Sequence, residues 1–474
     1  MNQLASRRPI SGVAVLDPFP AMGHVRAFLV VAEWLREIGF TPVFLVSIDF
    51  AGLIEKNGFE AYVVLPVLFR SDSQEIKEKG AIEVFLDSIS GNRLKKQKEE
   101  LWKQRTAYKK IVDEISPRFV LLDDHYSAKA LFYQDLGLPT ILVSTMTLPL
   151  HQKFLPPFQS TYIPSSSVLY GVKAYLAWCS VRLIRWKSRT ITRLVCGGAD
   201  QLRVLSTSFG TTEEVFDWNR CFGVGMKGLP ILVTYPKTFG FREIEPPDHC
   251  YFLGKLPESR SSVEPLSNRL AAVVEQAKRK GMDIVYCSLG TVTFDEIPVC
   301  VRFFRRIFQV AASLPHAFFI VNIGKNVDVS LLKANQSNVA VFDSLPQQVL
   351  LTHVQLMINH GGINSIKECI AAEVPMLVYP LSLKWDQPGC GARVAYHKLG
   401  LRGNIRSDGV GSITKKVSKV LTDREYYVYR LREIKSEMDI VNCMEEKRLL
   451  DLLSTYSFNI SIQPKMPSRE AIQY

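Results

Sequence analysis

The sequence predicts an α/β protein made of two Rossmann-like domains that face a central cleft. Three observations carry this. A β-rich apolar run at Gly12–Asp17 leads through a loop into a helical pattern and then a second strand. The order strand, glycine-rich turn, helix, strand returns between 354 and 387. The chain has 474 residues, 47% of them hydrophobic, which is enough for two sizeable cores.

The first strand ends in Pro18-Phe19-Pro20-Ala21-Met22-Gly23-His24. From 25 to 38 the apolar spacing is helical, Gly39 ends it, and 41–47 reads as the next strand. His24 is thus expected in the loop at the carboxyl end of the first strand, where open parallel sheets place function. An imidazole there has a pKa suited to general-base work near neutrality. A buried strand at 119–122 ends at Asp123-Asp124-His125, and a strand follows at 140–144. Asp123 or Asp124 can cap the next helix or orient a histidine base, and His125 reads as a loop residue. From 136 to 199 there is no Asp or Glu. Within it, Lys173, Arg182, Arg185, Lys187, Arg189 and Arg193 alternate with Tyr175, Leu176, Trp178, Leu183, Ile184, Trp186 and Ile191. We read 168–195 first as a helical cover over an acceptor pocket with a solvated basic face. The second reading is a peripheral surface for anionic lipid.

Residues 256–268, rich in Pro, Ser and charge, read as a linker between a domain at 1–255 and one at 269–454, with a loose tail at 455–474. In the second domain, 284–287, 318–322 and 339–342 read as strands, and Ser288-Leu289-Gly290-Thr291 as a tight turn. An apolar run at 354–358 ends in Asn359-His360-Gly361-Gly362, and a helix starts near Ile363. Gly361 and Gly362 allow close backbone approach, and the helix start offers free N–H groups and a positive dipole end. Together these suit a phosphate group. Asn364 and Ser365 add donors, and Glu368, one turn on, can accept two ribose hydroxyls. A strand at 376–379 leads to Asp386-Gln387, placed to hold sugar hydroxyls. The segment 423–453 reads as helical.

Composition excludes other classes. The formal charge of +12 is spread evenly: 1–255 carry 31 Lys+Arg against 25 Asp+Glu, and the remainder carries 27 against 21. With no RNA-binding or zinc-ligand signature, nucleic acid is not expected as a partner. Nine cysteines without a CxxC pair point to reduced thiols. No signal-peptide core and no bilayer-spanning run is evident, so a cytoplasmic location is expected, with peripheral membrane contact as the second reading. Gly223-Val224-Gly225-Met226-Lys227-Gly228 matches GxGxxG, but Leu229-Pro230 follows at once and no dinucleotide helix can start there.

The ordered set Pro346-Gln347, HGGxNSxxE at 360–368, Val374-Pro375 and Asp386-Gln387 resembles the nucleotide-sugar signature of UDP-dependent glycosyltransferases with the GT-B fold. The run at 386–394, DQPGxxARV, is similar to bacterial macrolide and carotenoid members. The resemblance implies that His360, Gly361, Gly362, Asn364 and Ser365 meet the diphosphate, that Glu368 holds the ribose and that Asp386 and Gln387 hold the sugar. It implies phosphate contacts for Ser288 and Thr291, donor binding by Pro346 and Gln347, and His24 as the base. Asp123, ahead of Gly137-Leu138-Pro139, is implied as its orienting carboxylate. It also implies a last helix that crosses back to the first domain.

Several positions depart from the family pattern. Ser344 replaces a Trp that stacks on uracil, which leaves a TDP donor open beside UDP. Glu373 replaces a Gly, at a cost of roughly 1 kcal/mol if the backbone there is left-handed. Arg26-Ala27 replaces an Asn-Pro, and Cys390 an Asn. The expected function is an inverting hexosyltransferase, with UDP-glucose first among donors and a hydrophobic alcohol as acceptor. No metal, and no cofactor beyond the UDP-sugar co-substrate, is expected. The alternatives are a non-catalytic GT-B nucleotide-sugar-binding or auxiliary protein and a nucleotide-sugar epimerase.

Overall fold

The computed structural model describes residues 12–64, 72–165, 167–257, 266–291, 294–332 and 335–458. Most of the expected linker and most of the expected tail lie outside them.

The first sheet has seven parallel strands. They are β1 (Gly12–Asp17), β2 (Phe40–Val46), β3 (Glu60–Val63), β4 (Phe119–Asp123), β5 (Thr140–Ser144), β8 (Ile231–Val233) and β9 (Cys250–Phe252), with a small antiparallel ribbon of β6 (Phe216–Asp217) and β7 (Gly225–Met226) beside them. The strand order is β3-β2-β1-β4-β5-β8-β9. The helices of this half are α1 (Met22–Glu37), α2 (Ile48–Lys56), α3 (Asp72–Lys79), α4 (Ala81–Ile89), α5 (Asn92–Ile115), α6 (Ala130–Asp135), α7 (Val168–Cys196) and α8 (Gln201–Ser208).

The second sheet has six parallel strands: β10 (Asp283–Ser288), β11 (Ala317–Asn322), β12 (Val339–Phe342), β13 (Leu356–Asn359), β14 (Met376–Val378) and β15 (Gly400–Arg402), in the order β12-β11-β10-β13-β14-β15. Its helices are α9 (Asn268–Arg279), α10 (Ile297–Ala312), α11 (Gln347–Leu351), α12 (Ile363–Ala371), α13 (Gln387–Tyr396), α14 (Val410–Thr422) and α15 (Arg424–Phe458). Helices cover both faces of such sheets, so their strands are nearly unbroken apolar runs. Val285, Tyr286 and Cys287 of β10 are fully buried.

Each sheet has a point where strand order reverses, and these points position the chemistry. In the first sheet β1 lies beside β4, with Asp17 in register with Leu122, so the loops carrying His24 and Asp123 emerge together. In the second, β10 lies beside β13, with Ser288 in register with Asn359, so the Ser288 and His360 turns emerge together.

Helix α1 starts three residues earlier than the apolar spacing suggests. His24 therefore sits in its first turn, with its N–H donating to Ala21 O at 3.0 Å, and not in a free loop. Hydrophobic periodicity begins only at Val25 and cannot register a polar first turn. Helix α15 runs 35 residues and crosses back to the first domain. Leu449 and Leu453 are buried in that domain's core, and Trp34 Nε1 donates to Glu446 at 2.6 Å. Glu373 is left-handed, with φ at +56°, and its carboxylate meets Arg432 at 2.7 Å and Lys435 at 3.4 Å, both on α15. All nine cysteines are free thiols. No described helix is long and apolar enough to cross a membrane.

Candidate active site

His24 Nδ1 lies 2.8 Å from Asp123 Oδ2 and 2.8 Å from Thr145 Oγ1. Nδ1 carries one hydrogen, so its two neighbours compete for it and the carboxylate is the stronger acceptor. Nε2 is left for a substrate. Asp123 is fully buried, and its other oxygen accepts from the His125 N–H at 3.0 Å and faces His125 Nδ1 at 3.2 Å. Asp123 thus caps the short helical turn after β4 with one oxygen and meets the His24 ring with the other. Asp124 does neither: it forms a buried ion pair with Arg220.

Electrostatics fit a base. Burial alone would lower the pKa of His24, but the charge and hydrogen bond of Asp123, with a smaller effect from Asp386, raise it above the ordinary value. Burial alone would raise Asp123, but the charge of His24, with hydrogen bonds from both histidines, holds its carboxyl well below the carboxylate range. The ligand atoms of His24, Asp123 and His125 lie within 4.8 Å of one another, which is also close enough to hold a metal ion.

Across the cleft the second domain presents a cradle. Gly361 has φ at +87°, and its N–H donates to Asn359 Oδ1 at 2.8 Å. Gly362 caps α12. The His360 ring lies between Gly290 and Gly362: a Cβ on Gly290 would stand 2.5 Å from Cε1, and one on Gly362 would stand 2.6 Å from Nε2. Burial pushes the His360 pKa down to about 4, so the ring is neutral and keeps one N–H to donate. Its Nδ1 and the Asn359 Nδ2 are buried without a partner. Ser288 is buried and accepts from the Gly290 N–H at 3.4 Å, while Thr291 is exposed at the rim.

The other expected residues fall on the same rim. Pro346 caps α11, and Gln347 Nε2 donates to Glu368 and, at 3.2 Å, to Ser365 Oγ. Burial raises the Glu368 pKa against the bonds from Gln347 and Gln348. Gln347 Oε1 accepts from Tyr286 at 3.1 Å. Asp386 is buried and accepts from the Thr147 N–H of the first domain at 2.8 Å, and burial raises its pKa. Gln387 Oε1 holds the loop before it, accepting from Leu381 N at 2.8 Å and Ser382 N at 2.9 Å. Asn364 Nδ2 donates at 3.1 Å to the carbonyl of Gly23, the residue before His24. The His24 segment and the cradle are therefore joined through this hydrogen bond.

Sequence reasoning missed Thr145, the sharing of Asp123 by His125, and Lys367, whose Nζ crosses the cleft to Thr234 O at 2.9 Å. Burial pushes the Lys367 pKa down to about 8. It also missed an aromatic wall beside His24. Phe19 lies 5.2 Å from the His24 ring, and Phe222 5.0 Å from His125. Trp385 of the second domain lies 5.1 Å from Phe222. A lone aromatic in a loop gives no periodic signal, so only the fold assembles this wall.

Residues 252–438 match the family described as UDP-glucoronosyl and UDP-glucosyl transferase. NDP-glycosyltransferase YjiC of Bacillus subtilis (strain 168) is 24% identical over 421 residues, 86% of this chain and 88% of its own length. Zeaxanthin glucosyltransferase of Pantoea ananas is 26% identical over 30% of this chain and 32% of its own. Among solved structures, the spinosyn forosaminyltransferase SpnP superposes with a TM-score of 0.60 at 16% identity, covering 94% of this chain and 99% of its own. The kitacinnamycin glycotransferase superposes at 0.59 and 18% identity, covering 95% and 100%. The whole chain thus has the GT-B fold, and residues 252–438 of it are similar to the UDP-glucoronosyl and UDP-glucosyl transferase family.

Proposed function

We propose that the protein is an inverting glycosyltransferase that moves a hexose from a nucleotide sugar, UDP-glucose first, to a hydroxyl of a hydrophobic small molecule. One observation carries this reading: the His24–Asp123 pair at 2.8 Å, set against the phosphate-type turn through Asn364 and Gly23. His24 Nε2 takes the proton of the acceptor hydroxyl as its oxygen attacks the anomeric carbon, and Asp123 stabilises the imidazolium that forms. The bond to the diphosphate breaks, and the leaving oxygens gather charge. The N-terminus of α12, the neutral His360 and the Asn364 and Ser365 side chains are the donors for that charge. Glu368 receives the ribose hydroxyls by exchanging its bonds from Gln347 and Gln348. Asp386 and Gln387 hold the sugar. The apolar wall of Phe19, Phe222 and Trp385 favours a flat hydrophobic acceptor. Since these donors supply the charge a metal would, turnover is expected without one.

The test is glycoside formation by wild type and His24→Ala with UDP-glucose, TDP-glucose and a panel of hydrophobic alcohols, with and without EDTA. Turnover that survives EDTA and falls about 10²–10⁴-fold in the variant, while donor binding persists, supports the proposal. Turnover abolished by EDTA points to the His24, Asp123 and His125 group as a metal site instead. Epimerised sugar from UDP-glucose alone points to an epimerase. Donor binding with no product from any acceptor points to an auxiliary protein.

A further inference from the structure

Helix α7 presents two different faces. Its inner stripe, Tyr170, Ala174, Trp178 and Cys196, is buried. Trp178 Nε1 donates to Leu155 O at 2.6 Å, and Trp178 packs with Met146 and Phe158, so this stripe covers the segment leading from Thr145. The outer face carries the expected exposed cations, Lys173, Arg182, Lys187 and Arg193, but it is not only basic. Leu169, Val172, Leu176, Leu183, Trp186 and Leu194 point outward and are 50–70% exposed. At 1.5 Å per residue this apolar stripe runs about 38 Å. Helix α4 packs along α7 and carries a second stripe at helical spacing, Ile82, Phe85, Leu86 and Ile89, all exposed. A soluble domain leaves so much contiguous apolar surface bare only where something covers it.

The charges say what that is. Helix α7 carries six cations and no acid. Arg189 and Arg193 turn to Glu213, and Arg185 donates to Gly223 O at 2.7 Å, so these flank the helix. Lys173 and Lys187 are exposed among the apolar side chains and form no ion pair with any described residue. Beyond the C-terminal half, an open depression is lined by Arg189, Arg193, Arg203 and Lys227 together with Glu213 and Glu214, so it is only mildly cationic, and it shares no residue with the His24 site. An exposed apolar stripe on a cationic helix, with Tyr175 64% and Trp186 65% exposed, has the make-up of a helix lying in a lipid interface. A second copy of this face would set like charges against each other. No described helix can span a bilayer, so the geometry is that of lying on one.

We propose that the outer face of α7, with α4 beside it, docks the protein on the surface of an anionic lipid bilayer. The acceptor side of the cleft, which α7 roofs, then sits next to the membrane. The docking stands on its own observations and does not depend on the transfer reaction.

The test is co-sedimentation of the full chain with vesicles of phosphatidylglycerol and phosphatidylcholine, against pure phosphatidylcholine, at low and high salt. Three proteins are compared: wild type, Lys173→Gln/Lys187→Gln and Leu176→Ser/Leu183→Ser/Trp186→Ser. All substituted residues are exposed, so thermal melting should be unchanged and serves as the folding control. Wild type is expected to bind anionic vesicles at least tenfold better than neutral ones. Each lysine lost should weaken binding about fivefold at low salt. The apolar variant should not bind. Equal or absent partitioning of wild type overturns the proposal. So does vesicle binding that the apolar variant keeps, or light scattering that shows wild type as a dimer and that variant as a monomer.

Discussion

Replacing Asp123 by Asn removes a charge and almost no volume, so it isolates what the carboxylate does for His24. The pair stands at 2.8 Å with the aspartate fully buried. An opposite charge at that range moves a pKa by about 1–3 units, or roughly 1.4–4 kcal/mol. In the wild type this upward push outweighs burial, and His24 lies above 6.5. In the variant burial is left as the main influence, and His24 should fall below 6.5. The neutral ring is the active form, so activity is lost as pH falls through the folded pKa. The acid limb of kcat/KM should therefore lie above pH 6.5 in the wild type and move down by one or more units in Asp123→Asn. The plateau should fall at the same time by about 10²–10⁴-fold, because the imidazolium of the transition state loses its partner and the ring its orientation. Two readouts check this: kcat/KM against pH with saturating donor, and an NMR titration of His24. A variant with the wild-type acid limb and a modest loss of rate would refute the base assignment even if the fold were intact.

Three further outcomes are expected. Gly290→Ala forces a Cβ at φ +72° to within 2.5 Å of the His360 ring, so it should cost about 1–3 kcal/mol and weaken nucleotide binding at least tenfold in a calorimetric titration. At position 373, where φ is +56°, Glu373→Ala should be less stable than Glu373→Gly by about 1 kcal/mol, because both lose the pairs to Arg432 and Lys435 and only Ala keeps the strained backbone; denaturant midpoints read this difference. Lys367 has a folded pKa near 8 against 10.5 unfolded, so the unfolded chain binds the extra proton between those values and stability rises with pH. Lys367→Met should lack that rise, a difference on the order of a few kcal/mol between melts at pH 7.5 and pH 10.

The strands β1, β2, β4, β5 and β10 to β14 were legible because parallel strands buried on both faces leave short apolar runs, whereas β3, β8, β9 and β15 and the strand order that makes the two switch points came only from the structure. The cradle was legible because glycines at 361 and 362 and the start of α12 are neighbours in sequence. His24 and Asp123 are 99 residues apart, and composition alone offers no reason to join them. Their link came from a resemblance and from two strand ends, and the adjacency of β1 and β4 supplies the contact. Thr145 and Lys367 were not legible, since Thr145 meets His24 of α1 and Lys367 meets Thr234 of the other domain; Trp385 stood out in the sequence only as a residue beside Asp386, and its contact with Phe222 came from the fold. The outer face of α7 was legible only in part. Its cations were visible in the sequence, but which of them are drawn to the flanks depends on the Glu213 and Gly223 that receive them.

The 35-residue helix α15 bears on how the protein is made. Leu449 and Leu453 fill the core built by β1, β2 and α1, so the earlier of these two domains is completed by nearly the last segment described. Domains emerging from a ribosome ordinarily fold in turn, the leading one first. Here the leading domain has to wait roughly 400 residues for its final apolar cover, and the patch around Trp34 stays open meanwhile. Chaperone dependence during synthesis, and sensitivity to any change that loosens α15, follow from that delay.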